Sequence, residues 1–294
     1  MIACIIVTYN PDFEILTKCL DSILHQVDFI IIVNNSVKEL KGNIKEYILE
    51  KTEIIELGNN FGIAYAQNRG IENAIKHNVD YVLLSDQDTI YPYDYVKMCI
   101  SIYENYNSKE KLGLIVPLFY NTNKKQMCKI MIKKNKAIIP EDGKSYFLAH
   151  AISSGSFIPV SVFKTVGFFN ERLFIDYVDT EWCWRATKKQ YKILCPTYLK
   201  ISHSMGDSFK VILGKKFVVY SNFRYYFFFR NSYYLLFNSK LLSFQEFLYF
   251  FIYTKLKGII FFITKGINLE TLKLYIRAKY KGITNKFSLE EEIK

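Results

Sequence analysis

A chain of 294 residues can bury a substantial core, and its 50% hydrophobic fraction is that of an ordinary globular protein. The formal charge of +11, from 39 Lys and Arg against 28 Asp and Glu, suits an anionic partner such as a nucleotide or an acidic membrane surface; no nucleic-acid-binding module accompanies it, so nucleic acid is not an expected partner. Six cysteines without Cys-x-x-Cys spacing argue against a zinc ribbon or a redox pair and fit reduced thiols, and the start carries no basic leader or cleavage site, so a cytoplasmic location is expected.

The first half alternates short β-rich runs with amphipathic stretches, the pattern of an α/β domain with a mainly parallel sheet. Candidate strands cover residues 2–7, 29–33, 53–57, 81–84 and 114–116. Between the first two, residues 13–26 place Phe13, Leu16, Leu20, Ile23 and Leu24 at helical spacing, and residues 62–77 repeat this with Ala66, Ile71, Ala74 and Ile75. A further helix is expected after Pro92.

Each strand ends in a polar loop: Thr8-Tyr9-Asn10, Asn34-Asn35-Ser36, Gly58-Asn59-Asn60 and Asp86-Gln87-Asp88. Open α/β sheets bind ligands at the carboxyl ends of their strands, so these loops should line one rim. Asp86 and Asp88 stand one residue apart directly after an apolar run, and oxygen donors in that place suit Mg²⁺ or Mn²⁺. A plain turn capping the next helix is the alternative.

Residues 121–144 are basic and irregular and read as a surface connection. The charge-free run 145–163 contains His150, Ser153-Ser154-Gly155-Ser156 and Pro159, which suits a pocket-lining loop and strand better than a membrane span. A strand over 157–159 and helices over 160–166 and 178–189 are expected next. Beyond residue 210 the composition shifts to three helices, 217–237, 241–262 and 269–280, dense in Phe, Tyr, Leu and Ile. They are interrupted by Arg224, Arg230, Glu246, Lys255 and Lys257, too often for a comfortable span. Such helices suit a membrane interface, or packing on the first domain or on another subunit of a homo-oligomer. The expected division is therefore residues 1–210 and 211–294.

Taken in order, Ile5-Ile6-Val7-Thr8-Tyr9-Asn10-Pro11, Ile32-Val33-Asn34-Asn35-Ser36, Gly58-Asn59-Asn60-Phe61-Gly62 with Ala66, Asn68 and Gly70, and Asp86-Gln87-Asp88 resemble the family 2 glycosyltransferases. Ser154-Gly155-Ser156, the segment 174–185 and His203-Ser204-Met205-Gly206 resemble in particular the bacterial rhamnosyltransferases of cell-surface polysaccharide assembly. The resemblance spans roughly residues 2–235.

It implies a GT-A-type, Rossmann-like, mainly parallel sheet flanked by helices. It also implies an inverting, metal-dependent hexosyltransferase using a dTDP- or UDP-linked sugar donor, dTDP-rhamnose foremost. The implied acceptor is a lipid-linked glycan at the inner face of the cell membrane, which the enzyme would meet as a peripheral protein, with Mg²⁺ or Mn²⁺ as cofactor. Thr8, Tyr9, Asn10 and Asn34 would hold the nucleoside, with Asn60, Gly62, Asn68 and Gln87 in the same donor loops. Asp86 and Asp88 would meet ribose and metal, Asp88 as the direct ligand, and Gly155 would let substrate approach the backbone.

Asp179 aligns with the family's general base, Asp176 and Glu181 standing in reserve, and His203 would touch metal or diphosphate. Arg230-Asn231 would meet a phosphate, or snorkel from an interfacial helix. Two departures stand out: Asn34 where aspartate is usual, and Val178 where an acid often precedes the base. Two further readings remain open. One is a nucleotide-binding but inactive membrane-surface scaffold. The other is an aspartate-dependent phosphatase using Asp86-x-Asp88-Thr89, although that family carries its motif after the first strand.

Overall fold

The structure, a computed structural model, describes residues 1–40, 42–121, 126–132, 136–203, 209–212 and 215–288. In chain order it begins with β1 (Ile2–Thr8), α1 (Phe13–Ile23), β2 (Phe29–Asn34), α2 (Glu46–Leu49), β3 (Thr52–Glu56), α3 (Ile63–Lys76), β4 (Tyr81–Asp86), α4 (Tyr95–Glu104) and β5 (Lys111–Ile115). Five short strands follow: β6 (Leu118–Asn121), β7 (Gln126–Met127), β8 (Ile130–Ile132), β9 (Lys136–Ile138) and β10 (Ser145–Phe147). Then come β11 (Ser156–Pro159), α5 (Val160–Val166), α6 (Val178–Lys188), β12 (Tyr191–Pro196), β13 (Lys200–His203), β14 (Phe209–Ile212) and β15 (Lys215–Val218). The described chain closes with α7 (Asn222–Phe237), α8 (Phe244–Lys265) and α9 (Leu269–Thr284).

The central sheet has eight strands in the order β10-β12-β5-β11-β4-β1-β2-β3. Pairs along β4-β1-β2-β3 and between β5 and β12 are parallel, while β11 runs antiparallel to β4 and β5, and β10 antiparallel to β12. Every residue of β1 is buried, as expected of a parallel strand covered on both faces. Its side chains alternate between two cores: Ala3, Ile5 and Val7 pack with Ala66, Ile71 and Trp182, whereas Cys4 and Ile6 pack with Leu16, Leu20 and Tyr95. Register brings the strand ends level, with Thr8 opposite Asn34, Asn34 opposite Glu56 and Val7 opposite Asp86. Four loops therefore share one rim.

The expected strands of the first half are all present, with bounds moved by a few residues. The basic segment after residue 121 is less irregular than its composition suggests, since β7 pairs with β6 and β8 with β9. The first aromatic helix begins later than expected: residues 217–218 belong to β15, which pairs with β14, and Ser221 then caps α7 by accepting a hydrogen bond from the Arg224 N–H. α7 packs closely on α9. A Cβ on Gly282 would lie 2.3 Å from the Arg230 carbonyl oxygen, so only glycine permits this approach.

α8 bears on the expectation about spanning. With 22 residues and a mean hydropathy of 1.5 it is long and apolar enough to cross a membrane by length and composition, and only 28% of that window is buried. Of its three lysines, Lys265 ends the helix, and Lys255 and Lys257 interrupt the apolar run too little to exclude it on composition.

Candidate active site

The rim loops brace one another through side-chain to backbone hydrogen bonds. Gln87 Oε1 accepts from the Tyr9 N–H at 2.8 Å, linking the ends of β1 and β4, and Ser36 Oγ accepts from the Asn10 N–H at 2.8 Å, linking β1 to β2. Asn60 Oδ1 accepts from Asn35 Nδ2 and from the Gly62 N–H, both at 3.0 Å, which closes the loop ahead of α3. The Tyr9 side chain stays 52% exposed, a free aromatic surface beside a polar floor. Thr8 and Asn34 lie beneath this floor, both fully buried.

Asn34 has a full set of partners. Its Oδ1 accepts from Thr8 Oγ1 at 3.2 Å, and its Nδ2 donates to the Lys38 carbonyl at 2.7 Å and to Glu56 Oε2 at 2.5 Å. Asparagine here is explained locally: an aspartate would oppose Glu56 carboxylate to carboxylate. The expected role in holding a base gives way to one of shaping the loop. Asn68 changes role in the same way. Its amide donates to the Phe169 carbonyl and to Glu171, and its Oδ1 accepts from the Phe169 N–H at 2.9 Å, so it clamps α3 to a segment a hundred residues away.

Asp86 ends β4 and Asp88 lies in the turn that follows, both partly exposed. Ser154 secures this turn, its Oγ accepting from the Asp86 N–H at 3.1 Å and sharing a hydrogen bond with Thr89 Oγ1 at 2.7 Å. Gly155, at φ +75°, donates to the Leu84 carbonyl at 2.7 Å, and its own carbonyl accepts from Tyr95 at 2.5 Å. Among the described residues no group of three or more His, Cys, Asp or Glu is arranged to hold a metal. A divalent cation here would rely on one or two carboxylates, with phosphate oxygens and water completing the shell, a coordination Mg²⁺ readily adopts. A bridge between Ile90 and Ser202 brings β13 beside this turn. The His203 side chain, expected at the metal, lies outside the described residues.

Asp179 sits in the first turn of α6, but the residue preceding that helix is Tyr177, which makes no capping bond. Asp179 Oδ2 accepts from the Ser153 N–H at 3.2 Å and Oδ1 from the Thr180 N–H at 2.7 Å. A helix amino terminus favours a carboxylate, yet burial pushes this one up to about 6; the two N–H donors pull it back, and the charges of Asp176 and Asp86 raise it further. That coupling brings Asp86, Asp176 and Asp179 into one electrostatic cluster. A carboxylate poised near neutrality is suited to accept a proton from a hydroxyl.

Asp176 is also raised by burial, against which Arg224 acts; its Oδ1 accepts from Arg224 Nε and from Arg224 Nη2, each at 3.2 Å. Its other oxygen is buried with no hydrogen-bond partner among the described residues. Glu181, the second reserve base, is committed elsewhere. It faces Arg185 at 2.8 and 3.0 Å, and Arg185 also donates to the Val166 and Phe168 carbonyls.

The loop carrying Asp176 is strained, with φ of +61°, +62° and +64° at Phe174, Asp176 and Tyr177. Two residues of α7 hold it in place. Arg230, fully buried, donates to the Arg172 and Leu173 carbonyls at 2.8 and 3.0 Å, and Asn231 donates to those of Leu173, Ile175 and Asp176 at 2.8, 2.8 and 2.9 Å. Arg230-Asn231 is therefore neither a phosphate contact nor a snorkelling pair. Gly62 joins the same loop to the donor rim: Ile63 donates to the Phe174 carbonyl at 2.8 Å, and a Cβ on Gly62, at φ +85°, would lie 2.7 Å from that oxygen. The sequence offered no direct sign of Ser153, Arg224 or this α7 clamp, because each acts through a contact distant in the chain.

A groove of about 860 Å³ lined by Lys111, Phe147, Trp184, Lys188, Tyr191 and Lys192 lies at the opposite, amino-terminal ends of β5 and β12. It takes no part in the acid cluster.

The family model "Glycosyl transferase family 2" matches residues 3–167, the span that holds the four rim loops and Gly155. The chain is a family 2 glycosyltransferase. This glycosyltransferase is 32% identical over 288 residues to the dTDP-rhamnosyl transferase RfbF of Shigella flexneri, covering 95% of the chain and 94% of the relative. Among solved structures it is similar to S. aureus TarS, with a TM-score of 0.64 at 16% identity; that likeness covers 99% of the glycosyltransferase but 50% of TarS, so the chain spans half the length of that protein. It is also similar to GalNAc-T7 with UDP, GalNAc and Mn²⁺, with a TM-score of 0.57 at 14% identity over 90% of this chain and 58% of the other. These structural likenesses establish the GT-A fold. Membership of the family removes the phosphatase reading, and the position of Asp86-x-Asp88 after the fourth strand agrees.

Proposed function

We propose that this glycosyltransferase moves rhamnose from dTDP-rhamnose, with inversion, to a lipid-linked glycan at the inner face of the cell membrane. The similarity to a dTDP-rhamnosyl transferase along nearly the whole of both chains supports the donor. The raised carboxyl of Asp179, beside Asp86 and Asp176, supports the chemistry.

In this reading Tyr9, Asn10 and the Asn60 loop bind the nucleoside. Asp86 meets the ribose, and Asp88 would hold Mg²⁺ or Mn²⁺, which would supply positive charge to offset that on the departing nucleotide. Asp179 takes the proton from the acceptor hydroxyl as its oxygen attacks the anomeric carbon, and Ser153 keeps the carboxylate aimed. Asp176, tied to Arg224, keeps Asp179 basic through its neighbouring charge.

The test is transfer to a lipid-linked acceptor from a panel of nucleotide sugars with Mg²⁺ or Mn²⁺. The reading expects dTDP-rhamnose to be used foremost and the product to have the opposite anomeric configuration. Preference for another donor, or retention of configuration, overturns it. Donor binding with no turnover of any sugar would favour the inactive scaffold instead.

A further inference from the structure

The outer faces of α8 and α9 are apolar and uncovered. From Leu248 onward, every exposed residue of α8 is apolar: Leu248, Tyr249, Ile252, Leu256, Ile259 and Ile263. Their spacing places them on one stripe of the helix, opposite the buried Phe250, Thr254, Gly258 and Phe261. α9 repeats the pattern with Leu269, Leu272, Ile276, Tyr280 and Ile283 exposed, and Ile267, in the turn between the helices, is 75% exposed. Soluble proteins seldom leave so continuous an apolar surface to water.

Charge indicates what covers it. Lys273 and Arg277 are exposed along one border of the α9 stripe, and Lys279 lies on the other. On α8, Lys255 lies beside the stripe, its ammonium over the Phe251 ring at 5.1 Å. Apolar centres with basic borders fit an anionic lipid surface. A second copy docked stripe to stripe would bring the same cations together.

The inner face of α8 argues against a span. Phe250 packs on Tyr177 and Trp184, with ring centroids 5.4 and 5.6 Å apart, and Phe261 packs on Tyr225 of α7 at 4.7 Å. Crossing a bilayer would break these contacts with the catalytic half. Lying flat preserves them.

We infer that α8 and α9 form a monotopic docking surface that seats the enzyme on an anionic bilayer, with the outer stripe in the acyl boundary and Lys255, Lys273, Arg277 and Lys279 at the headgroups. Tyr177 lies against the inner side of α8 and only two residues from Asp179. Docking therefore brings the catalytic loop to within about one helix diameter, ~10 Å, of the lipid. This deepens the reading of a lipid-linked acceptor, but lipid binding needs no turnover and is tested apart from it.

The experiment is flotation of the full chain with vesicles of phosphatidylcholine alone or mixed with phosphatidylglycerol, at low and high salt, alongside light scattering without lipid. The wild type should float with anionic vesicles, less with neutral ones, and be released by alkaline carbonate. Ile252→Asp with Ile259→Asp, both at exposed positions, should lower binding on the order of tenfold or more. Lys273→Glu with Arg277→Glu should lower it several-fold and flatten the salt dependence. Circular dichroism and turnover of donor with a soluble acceptor should stay unchanged in all variants. Three results overturn the inference: equal flotation of the Ile252→Asp, Ile259→Asp protein, resistance to carbonate extraction as for a span, or a lipid-free oligomer that those substitutions dissolve. Flotation as expected without rhamnosyl transfer would instead sink only the proposed function.

Discussion

Asn231 holds the backbone of Asp176 across 55 residues of sequence, its Nδ2 donating to the Asp176 carbonyl oxygen at 2.9 Å. The same amide also reaches Leu173 and Ile175, so one buried side chain in α7 fixes three carbonyls of a loop with positive φ. A strained loop persists only where its surroundings enforce the geometry. The aromatic helix α7 thus holds the loop that leads to Asp179.

Asn231→Ala should therefore impair catalysis more than donor binding. Losing the amide leaves buried carbonyls short of donors, at a cost of about 1–3 kcal/mol in stability. A shift of the loop by about an ångström should lower kcat on the order of 100-fold. Steady-state kinetics with donor and acceptor varied separately, and a thermal melt, check this; an unchanged kcat would remove α7 from the catalytic assembly.

Asp179 gives a pH dependence of definite sign. Its folded carboxyl is raised to about 6, above the value of about 3.9 expected in an unfolded chain. Between those values the folded state retains a proton that the unfolded state has lost, so stability falls as pH rises through that window, by up to roughly 2–3 kcal/mol. Activity should run the other way, rising as Asp179 ionises near pH 6. Asp179→Asn should remove both trends: its stability should no longer fall as pH rises through that window, and it should still bind donor but turn over about 10²–10⁴-fold more slowly. Chemical denaturation at pH 4 and pH 7, with pH–rate profiles, measures both, and normal turnover by Asp179→Asn rejects the base assignment.

Much of this was legible in the sequence. Period and loop residues located the strands of the first half, because buried parallel strands are continuous apolar runs and their loops carry the polar residues. The match of Asp86, Asp88 and Asp179 to one family emerged from motif order, and the family and fold proved correct. What sequence could not show is which polar residues are already used. Asn34 and Asn68 are committed to Glu56 and Phe169, contacts that no motif announces, whereas the pairing of Glu181 with Arg185 four residues on is one the sequence allows. Arg230-Asn231 looked interfacial because it lies in an aromatic helix, but its partners are about 55 residues earlier. Short apolar runs misled in another way: residues 217–218 suit strand and helix alike, and the choice came from pairing with β14 and the cap at Ser221.

Gly62 should tolerate no side chain. At φ +85°, with the Phe174 carbonyl oxygen 2.7 Å from any Cβ, Gly62→Ala must move the loop that leads to Asp176. The backbone term alone is about 1–2 kcal/mol, and the clash adds to it. A melting temperature equal to that of the wild type, with unaltered donor affinity, would show that the two loops are not coupled in this way.

The carboxylates at the end of β4 make the last prediction. On the proposed reading Asp88 holds a cation for the donor diphosphate, so Asp88→Ala should weaken donor binding on the order of 10–100-fold in Mg²⁺ or Mn²⁺. It should also abolish the difference in donor binding between chelator and metal. Asp86→Asn, which keeps an oxygen and a similar size, should affect ribose-containing ligands whether or not metal is present. Calorimetric titration of dTDP and dTDP-rhamnose into each variant, with and without the cation, separates the two roles. If Asp88→Ala binds donor as the wild type does and still responds to metal, the cation is held elsewhere, and the His203 neighbourhood becomes the place to look.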